Sequence, residues 1–233
     1  MLLGLTPDDW TALRLSLKVA AVATLASLPL AIAVATVLAR GRFWGKTALD
    51  ALVHLPLVMP PVVTGYLLLL AFGRRGPVGA WLESTFGLVL SFRWTGAALA
   101  CAVMGFPLMV RAIRLSIEAV DPRLVAASAT LGARPAWSFA TVTLPLAAPG
   151  ILAGAILCFA KALGEFGATI TFVSSIPGET RTLPSAIYAA TQTPGGDATA
   201  MRLTLVAIAV SVLALVASEW LARRVRRGIG AAP

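Results

Sequence analysis

Long uninterrupted apolar runs constrain this chain more than any other feature. Residues 19–39, VAAVATLASLPLAIAVATVLA, run for 21 positions without a charge. An α-helix needs about 20 such residues to cross a bilayer. Inside hydrocarbon every backbone N–H and C=O must find its partner within the protein, which restricts a spanning segment to helix or closed barrel. Further runs place five spans at 13–39, 51–72, 95–114, 149–172 and 203–222. The expected fold is therefore all-α, a polytopic membrane domain of about five transmembrane helices over residues 10–222. The stretch 78–92 is apolar but carries Glu83 and is too short to cross; it reads as a short helix lying at the interface. Charged residues make up 12% of the chain, about half the share usual in a soluble domain. The opening MLLGLTPDDW has acids where a secretory signal has basic residues, so the first span is expected to be retained.

Span two, ALVHLPLVMPPVVTGYLLLLAF, contains Pro56, Pro60 and Pro61. Proline removes a helix hydrogen bond and clashes with the preceding turn, so this span must bend or break. Broken backbone at membrane depth is tolerated only beside protein or a water-filled path. A pure anchor has no use for it, which favours transport over a non-transporting assembly or sensory component. His54, one turn into this span, reads as an interface residue. Cys101 and Cys158 lie inside apolar runs and read as small packing residues rather than a disulfide or metal pair.

Loop charge sets the orientation. Arg40, Arg42, Lys46, Arg111, Arg114, Arg123, Arg134, Arg223, Arg224, Arg226 and Arg227 flank one side; Arg14, Arg74, Arg75, Arg93, Arg181 and Arg202 flank the other. Basic loops stay in the cytoplasm. The larger set therefore places the C-terminus and the basic tail 223–233 inside and, with five spans, the N-terminus outside. The net charge of +9 is thus a topology signal, and nucleic acid is not an expected partner. Membrane lipid is.

The segment 119–148 between spans three and four is the least membrane-like internal stretch. Asp121-Pro122 starts a helix, with a carboxylate cap followed by proline at the first helical position. Gly132 stops it. Pro135 then starts a second short helix, expected to end near Pro145. Leu124, Ser128 and Leu131 fall on one face, with Val125 beside them. Three readings compete: a surface-lying connector, a DNA-binding helix pair, and a knob that fits a groove on a cytoplasmic partner. Both ends are tied into the membrane within a few residues, which disfavours DNA. The chain brings no ATPase of its own: GRFWGKT, 41–47, has three residues between its glycines where a phosphate-binding loop has four, and no strand precedes it. With one histidine and no nucleophile–base pair, enzymatic chemistry and a resident metal are not expected.

The stretch VAASATLGARPAWSFATVTLP, 125–145, resembles the cytoplasmic coupling loop of ABC-importer permeases, with Gly132 and Leu144-Pro145 at the family's positions. The resemblance implies that Leu124, Ala126, Ala127, Ser128, Leu131, Gly132, Ala133 and Pro145 form the ATPase-coupling element. Ala126 stands where the family usually has Glu, and Ser128 where it has Ala. Further stretches, LPLVMPPVVTGYLLL, GRRGPVG, GFPLMVRAIR, LGEFGATITFVSSIPGETRTLPSAIY and QTPGG, are similar to the permease subunits of molybdate ABC importers (the ModB type) over about 10–222. Sulfate permeases share parts of this, especially around GEFGAT. The resemblance implies a type I importer permease fold, MetI-like. It also implies a homodimer, two cytoplasmic ABC ATPase subunits, and an extracytoplasmic binding protein that delivers a tetrahedral dianion. On that reading this chain binds no cofactor; ATP and Mg sit on the partner ATPase.

An anion path can be lined by hydroxyls and backbone N–H groups. Pro60, Pro61, Thr64, Gly164, Glu165, Gly167, Thr169 and Thr171 are the candidates. The glycines read equally as close helix approach or a kink. Lys161 and Glu165, four apart, share one helical face; Glu165 is expected to pair with Lys161 or Lys18 or to lie near the outer interface, since a free carboxylate would repel a dianion. In the loop 174–188, Pro177-Gly178 reads as a turn, and Glu179 and Arg181 either contact the binding protein or are merely solvated.

Overall fold

A computed structural model describes residues 6–230. Among them the chain is helical throughout, with no strand. In chain order the elements are α1 (Pro7–Arg40), α2 (Lys46–Val58), α3 (Pro61–Phe72), α4 (Pro77–Phe86), α5 (Trp94–Glu118), α6 (Pro122–Thr130), α7 (Pro135–Ser138), a π-helical turn (Phe139–Thr143), α8 (Leu144–Leu163), α9 (Gly167–Val173), α10 (Leu183–Thr191) and α11 (Asp197–Gly230).

Four helices are long and apolar enough to cross a membrane: Pro7–Arg40, Trp94–Glu118, Pro135–Leu163 and Asp197–Ala214. The pair α2 and α3, bent by 113° between them, gives a fifth if counted as one span. Asp50 in α2 meets Arg114 near the C-terminal end of α5, while Phe72 at the end of α3 packs on the cluster that includes Leu90 and Trp94. The bent pair therefore carries the chain from one end of the bundle to the other.

Helix starts follow local chemistry. α1 opens on a capping box in which the Thr6 hydroxyl accepts from Asp9 N and the Asp9 carboxylate accepts from Thr6 N. The Asp9 carboxylate also accepts from Arg202 at 3.0 Å, so the cap ties α1 to α11.

The core centres on α5, whose apolar window is 61% buried against 28% or less for the other three spanning helices. One cluster packs Val19, Ala23, Cys101, Met104 and Phe172 towards the far end. A second packs Ala31, Ala35, Leu38, Met109, Ile113 and Cys158 towards the elbow end. Both cysteines are buried and free. Glycines let α5 and α8 approach closely. A Cβ built on Gly105 would lie 2.6 Å from Cys158 Sγ, one on Gly150 2.2 Å from Ser116 Cβ, and one on Gly154 2.9 Å from the Met109 carbonyl. Gly150 and Gly154 are four apart, the small-residue spacing that brings helices together in membranes.

Span two breaks as expected, at 59–60: Pro60 and Pro61 supply no N–H and α3 restarts with Pro61 in its first turn, while Pro56 stays inside α2. Two expectations are corrected. The fourth span is 135–163 rather than 149–172. The chain breaks at Gly164, and 167–173 form a separate short helix. The second helix of the 119–148 segment does not end near Pro145. It runs on as part of that span, because the wide turn Phe139–Thr143 precedes the proline and lets it take the first turn of α8. Elsewhere, α4 covers 78–86 of the stretch 78–92, and Gly87 at φ +66° ends it. Helix α11 takes in 223–230 of the basic tail; 231–233 lie outside the described residues.

The α5–α8 contact yields a prediction. Gly150→Leu must push the two helices apart, at a cost of about 1–3 kcal/mol, and should lower the thermal unfolding midpoint of the detergent-purified protein. Gly164→Ala should leave it unchanged, since nothing lies within 4 Å of the added Cβ.

Candidate functional site

Two features stand out from the bundle: the elbow at 121–143 and the paired helix breaks.

At the elbow, Asp121 Oδ1 accepts from Arg123 N at 2.8 Å, and Pro122 takes the first position of α6. Gly132, at φ +84°, closes that helix. Gly132 N donates to the Ala129 carbonyl and Ala133 N to the Ser128 carbonyl, the paired bonds of a Schellman turn. Ser128 and Ser138 then join the two arms, hydroxyl to hydroxyl at 2.5 Å. Arg40 anchors the second arm to α1 by donating to Thr143 Oγ1 at 2.6 Å. The elbow is thus a braced corner.

The expected apolar face divides. Leu124 and Leu131 are 48% and 88% exposed, with Ala126 and Ala127 also exposed. Ser128 turns inward to its partner serine, and Ala133 is half-buried. Pro145 lies in the span beyond the corner. Trp137, 66% exposed, joins the outer surface and was missed in the sequence. Its signal was a large aromatic just after Pro135 in a half-polar stretch.

The breaks between α2 and α3 and between α8 and α9 lie side by side. A Cβ on Gly167 would sit 2.8 Å from Pro61 Cβ, and one on Gly65 would sit 2.5 Å from the Ala168 carbonyl and 2.9 Å from Thr171 Cβ. Gly65, which the sequence reading did not single out, is therefore as tightly placed as Gly167. Glu165, 2% exposed, accepts from Lys161 Nζ at 2.7 Å and from Ala168 N at 3.0 Å. It neutralises the lysine and caps α9 at once. Lys18 instead lies 3.5 Å from the Trp94 ring centroid, a cation–π contact. Thr169 donates to the Phe166 carbonyl and Thr171 to the Gly167 carbonyl, so both hydroxyl protons are spent on their own helix. Thr64 is buried and its Oγ1 has no hydrogen-bond partner. Pro60, Pro61 and Gly164 are exposed at the breaks. Among the described residues no three metal-binding side chains gather.

The turn at 174–182 is tightly bonded. Gly178 takes φ +77°, Thr180 Oγ1 accepts from Ile176 N, and Arg181 donates to Ser175 Oγ at 3.2 Å.

The sequence pattern of binding-protein-dependent transport system inner membrane components matches residues 27–227. This chain belongs to that family. The permease is 57% identical to the molybdenum transport system permease protein ModB of Escherichia coli K12 over 97% of its own length and 99% of that protein's. It is 54% identical to ModB of Haemophilus influenzae, covering 94% and 96%. The sulfate transport system permease protein CysT of Escherichia coli K12 is 34% identical, covering 96% and 80%. These identities put the permease among the ModB-type members. Its fold is that of type I ABC importers. A bacterial alginate ABC transporter superimposes with a TM-score of 0.74 at 16% identity, covering 94% of this chain and 80% of that one. The MetNI methionine transporter, inward facing, gives 0.65 at 15%, covering 93% and 94%.

The buried ion pair makes an asymmetric prediction. Lys161→Met leaves the Glu165 carboxylate buried without its counter-charge, whereas Glu165→Gln leaves a lysine that is 30% exposed rather than buried. Removing the lysine should cost the permease roughly 3–5 kcal/mol of stability and removing the carboxylate clearly less. The double variant should recover part of the difference, as read from unfolding midpoints.

Proposed function

We propose that this permease is the translocation subunit of an ATP-driven importer that carries molybdate across the cytoplasmic membrane. The observation that carries this reading is the 57% identity to ModB over nearly all of both chains, against 34% to the sulfate permease CysT. The chain works as a homodimer, because a handful of spans is too few to enclose a path and a two-fold pair is the commonest closure. Two ABC ATPase subunits bind on the cytoplasmic side, and a molybdate-binding protein delivers the anion outside. The chain itself is not an enzyme and holds no cofactor; ATP and Mg belong to the ATPase. The eleven-to-six bias of basic residues places the elbow inside and the N-terminus outside.

On this reading the elbow seats in a groove of the ATPase through the exposed Leu124, Leu131 and Trp137. With Ala126 in place of an acid, docking leans on apolar area and shape and depends little on salt. The path runs by the paired breaks, where Pro60, Pro61, Thr64, Gly164, Gly167, Thr169 and Thr171 lie. Glu165, held by Lys161, presents no free negative charge to the anion.

Vesicles containing the assembled complex should take up labelled molybdate only with ATP, and excess sulfate should not compete. Uptake of sulfate at the same efficiency would make this a general oxyanion permease. Gly132→Val should strain the positive-φ corner by about 1–3 kcal/mol. It should insert normally, co-purify poorly with the ATPase and lose uptake; Gly132→Asn, which tolerates that conformation, should keep most of both. A single cysteine at position 134 should label only from the cytoplasmic face.

A further inference from the structure

The segment GRFWGK, 41–46, is not a nucleotide loop, yet it is unusual in three dimensions. It joins α1 to α2 at the elbow end of the bundle. Trp44 is fully exposed and Phe43 is 43% exposed, although both sit where a spanning helix has just ended. Beside them opens a cleft of about 530 Å³ whose lining includes Arg40, Arg42, Lys46, Glu118 and Val125. The acid there is already engaged: Glu118 accepts from Arg114 at 2.8 Å, and Arg114 also reaches Asp50 at 3.1 Å. Arg40 donates to a neutral hydroxyl, Thr143. Among the described residues no carboxylate lies within salt-bridge distance of Arg42 or Lys46. In addition, α2 begins without a side-chain cap and without an acid in its first turn, and Lys46 stands at its first position. A cation there opposes the helix dipole; a bound anion would offset both.

We propose that this cleft is a headgroup site for an anionic phospholipid. Indole rings prefer the headgroup level of a bilayer, so Trp44 fixes the loop at that depth. Arg40, Arg42 and Lys46 then meet the lipid phosphate from the protein side, in the manner of basic pockets at the membrane surface. The occupant is a lipid rather than a free anion because Trp44, which lies in the chain between two of the cleft's cations, Arg42 and Lys46, exposes an indole that a bilayer would cover. The site also adjoins the corner, since Pro122 and Val125 of α6 close its far wall.

The test uses the full chain, extracted in mild detergent and offered equal amounts of phosphatidylglycerol and phosphatidylcholine, with retained lipid read by native mass spectrometry. The wild type should retain phosphatidylglycerol preferentially. Each basic residue near an anionic headgroup contributes about fivefold, so Arg42→Gln with Lys46→Gln should weaken phosphatidylglycerol binding by about twenty-five-fold. Arg42→Lys with Lys46→Arg, which keeps both charges, should retain it. Trp44→Ala should weaken both lipids alike. An unchanged preference in the double glutamine variant overturns the proposal. Displacement of the lipid by millimolar inorganic phosphate also overturns it, by making the site one for the free anion. So does loss of ATPase co-purification with lipid retention unchanged, which would make the cleft part of the docking surface.

Discussion

Backbone hydrogen bonding in a medium without water governs this structure. A helix satisfies its own polar groups, so four long helices can lie in hydrocarbon, three of them with most of their side chains facing outward. A helix end cannot, and this chain puts two pairs of ends within the bundle. It manages the cost by setting each break against the other. Pro60 and Pro61 have no N–H to leave unpaired, and the Glu165 carboxylate takes the Ala168 N–H that the start of α9 exposes. Glycines at 65 and 167 then let the two short helices close over the interruption. This part of the interior is thus both polar and irregular.

Charge is handled with the same economy. Within the spans, Lys161 meets Glu165 and Lys18 meets the face of Trp94. At the bundle ends Asp50, Arg114 and Glu118 form one group and Asp9 with Arg202 another. Arg42 and Lys46, which have no ion-pair partner among the described residues, lie at the elbow end beside the exposed Phe43 and Trp44. That juxtaposition supplies the surface on which lipid is proposed to sit.

Much of this was legible in the residues. Long apolar runs gave the spans; Asp121-Pro122 and Gly132 gave the corner, because capping chemistry is local; the four-residue spacing of Lys161 and Glu165 gave the ion pair. What failed to read out depends on partners distant in sequence. Pro145 carries a local stop signal, but a widened turn upstream absorbs it, so the helix continues. Gly164 read equally as a close helix approach or a kink, and only the packing of 167–173 on α3 shows that the run is two helices. Trp137 and Gly65 carried weak signals that their neighbours obscured. The Gly150–Gly154 spacing was a readable motif that went unused, since its partner surface on α5 lies more than thirty residues away.

The unbroken helix from Pro135 to Leu163 has a mechanical consequence. Twenty-nine residues at about 1.5 Å each make a rod of roughly 40 Å, with the corner at one tip and the Gly164 break at the other. A rod pivoting about its middle, where Gly150 and Gly154 bear on α5, converts a displacement of a few ångströms at one tip into an opposite displacement of similar size at the other. The bulge at 139–143 lies between the corner and that pivot, so any push at the corner must pass through it to arrive at the break.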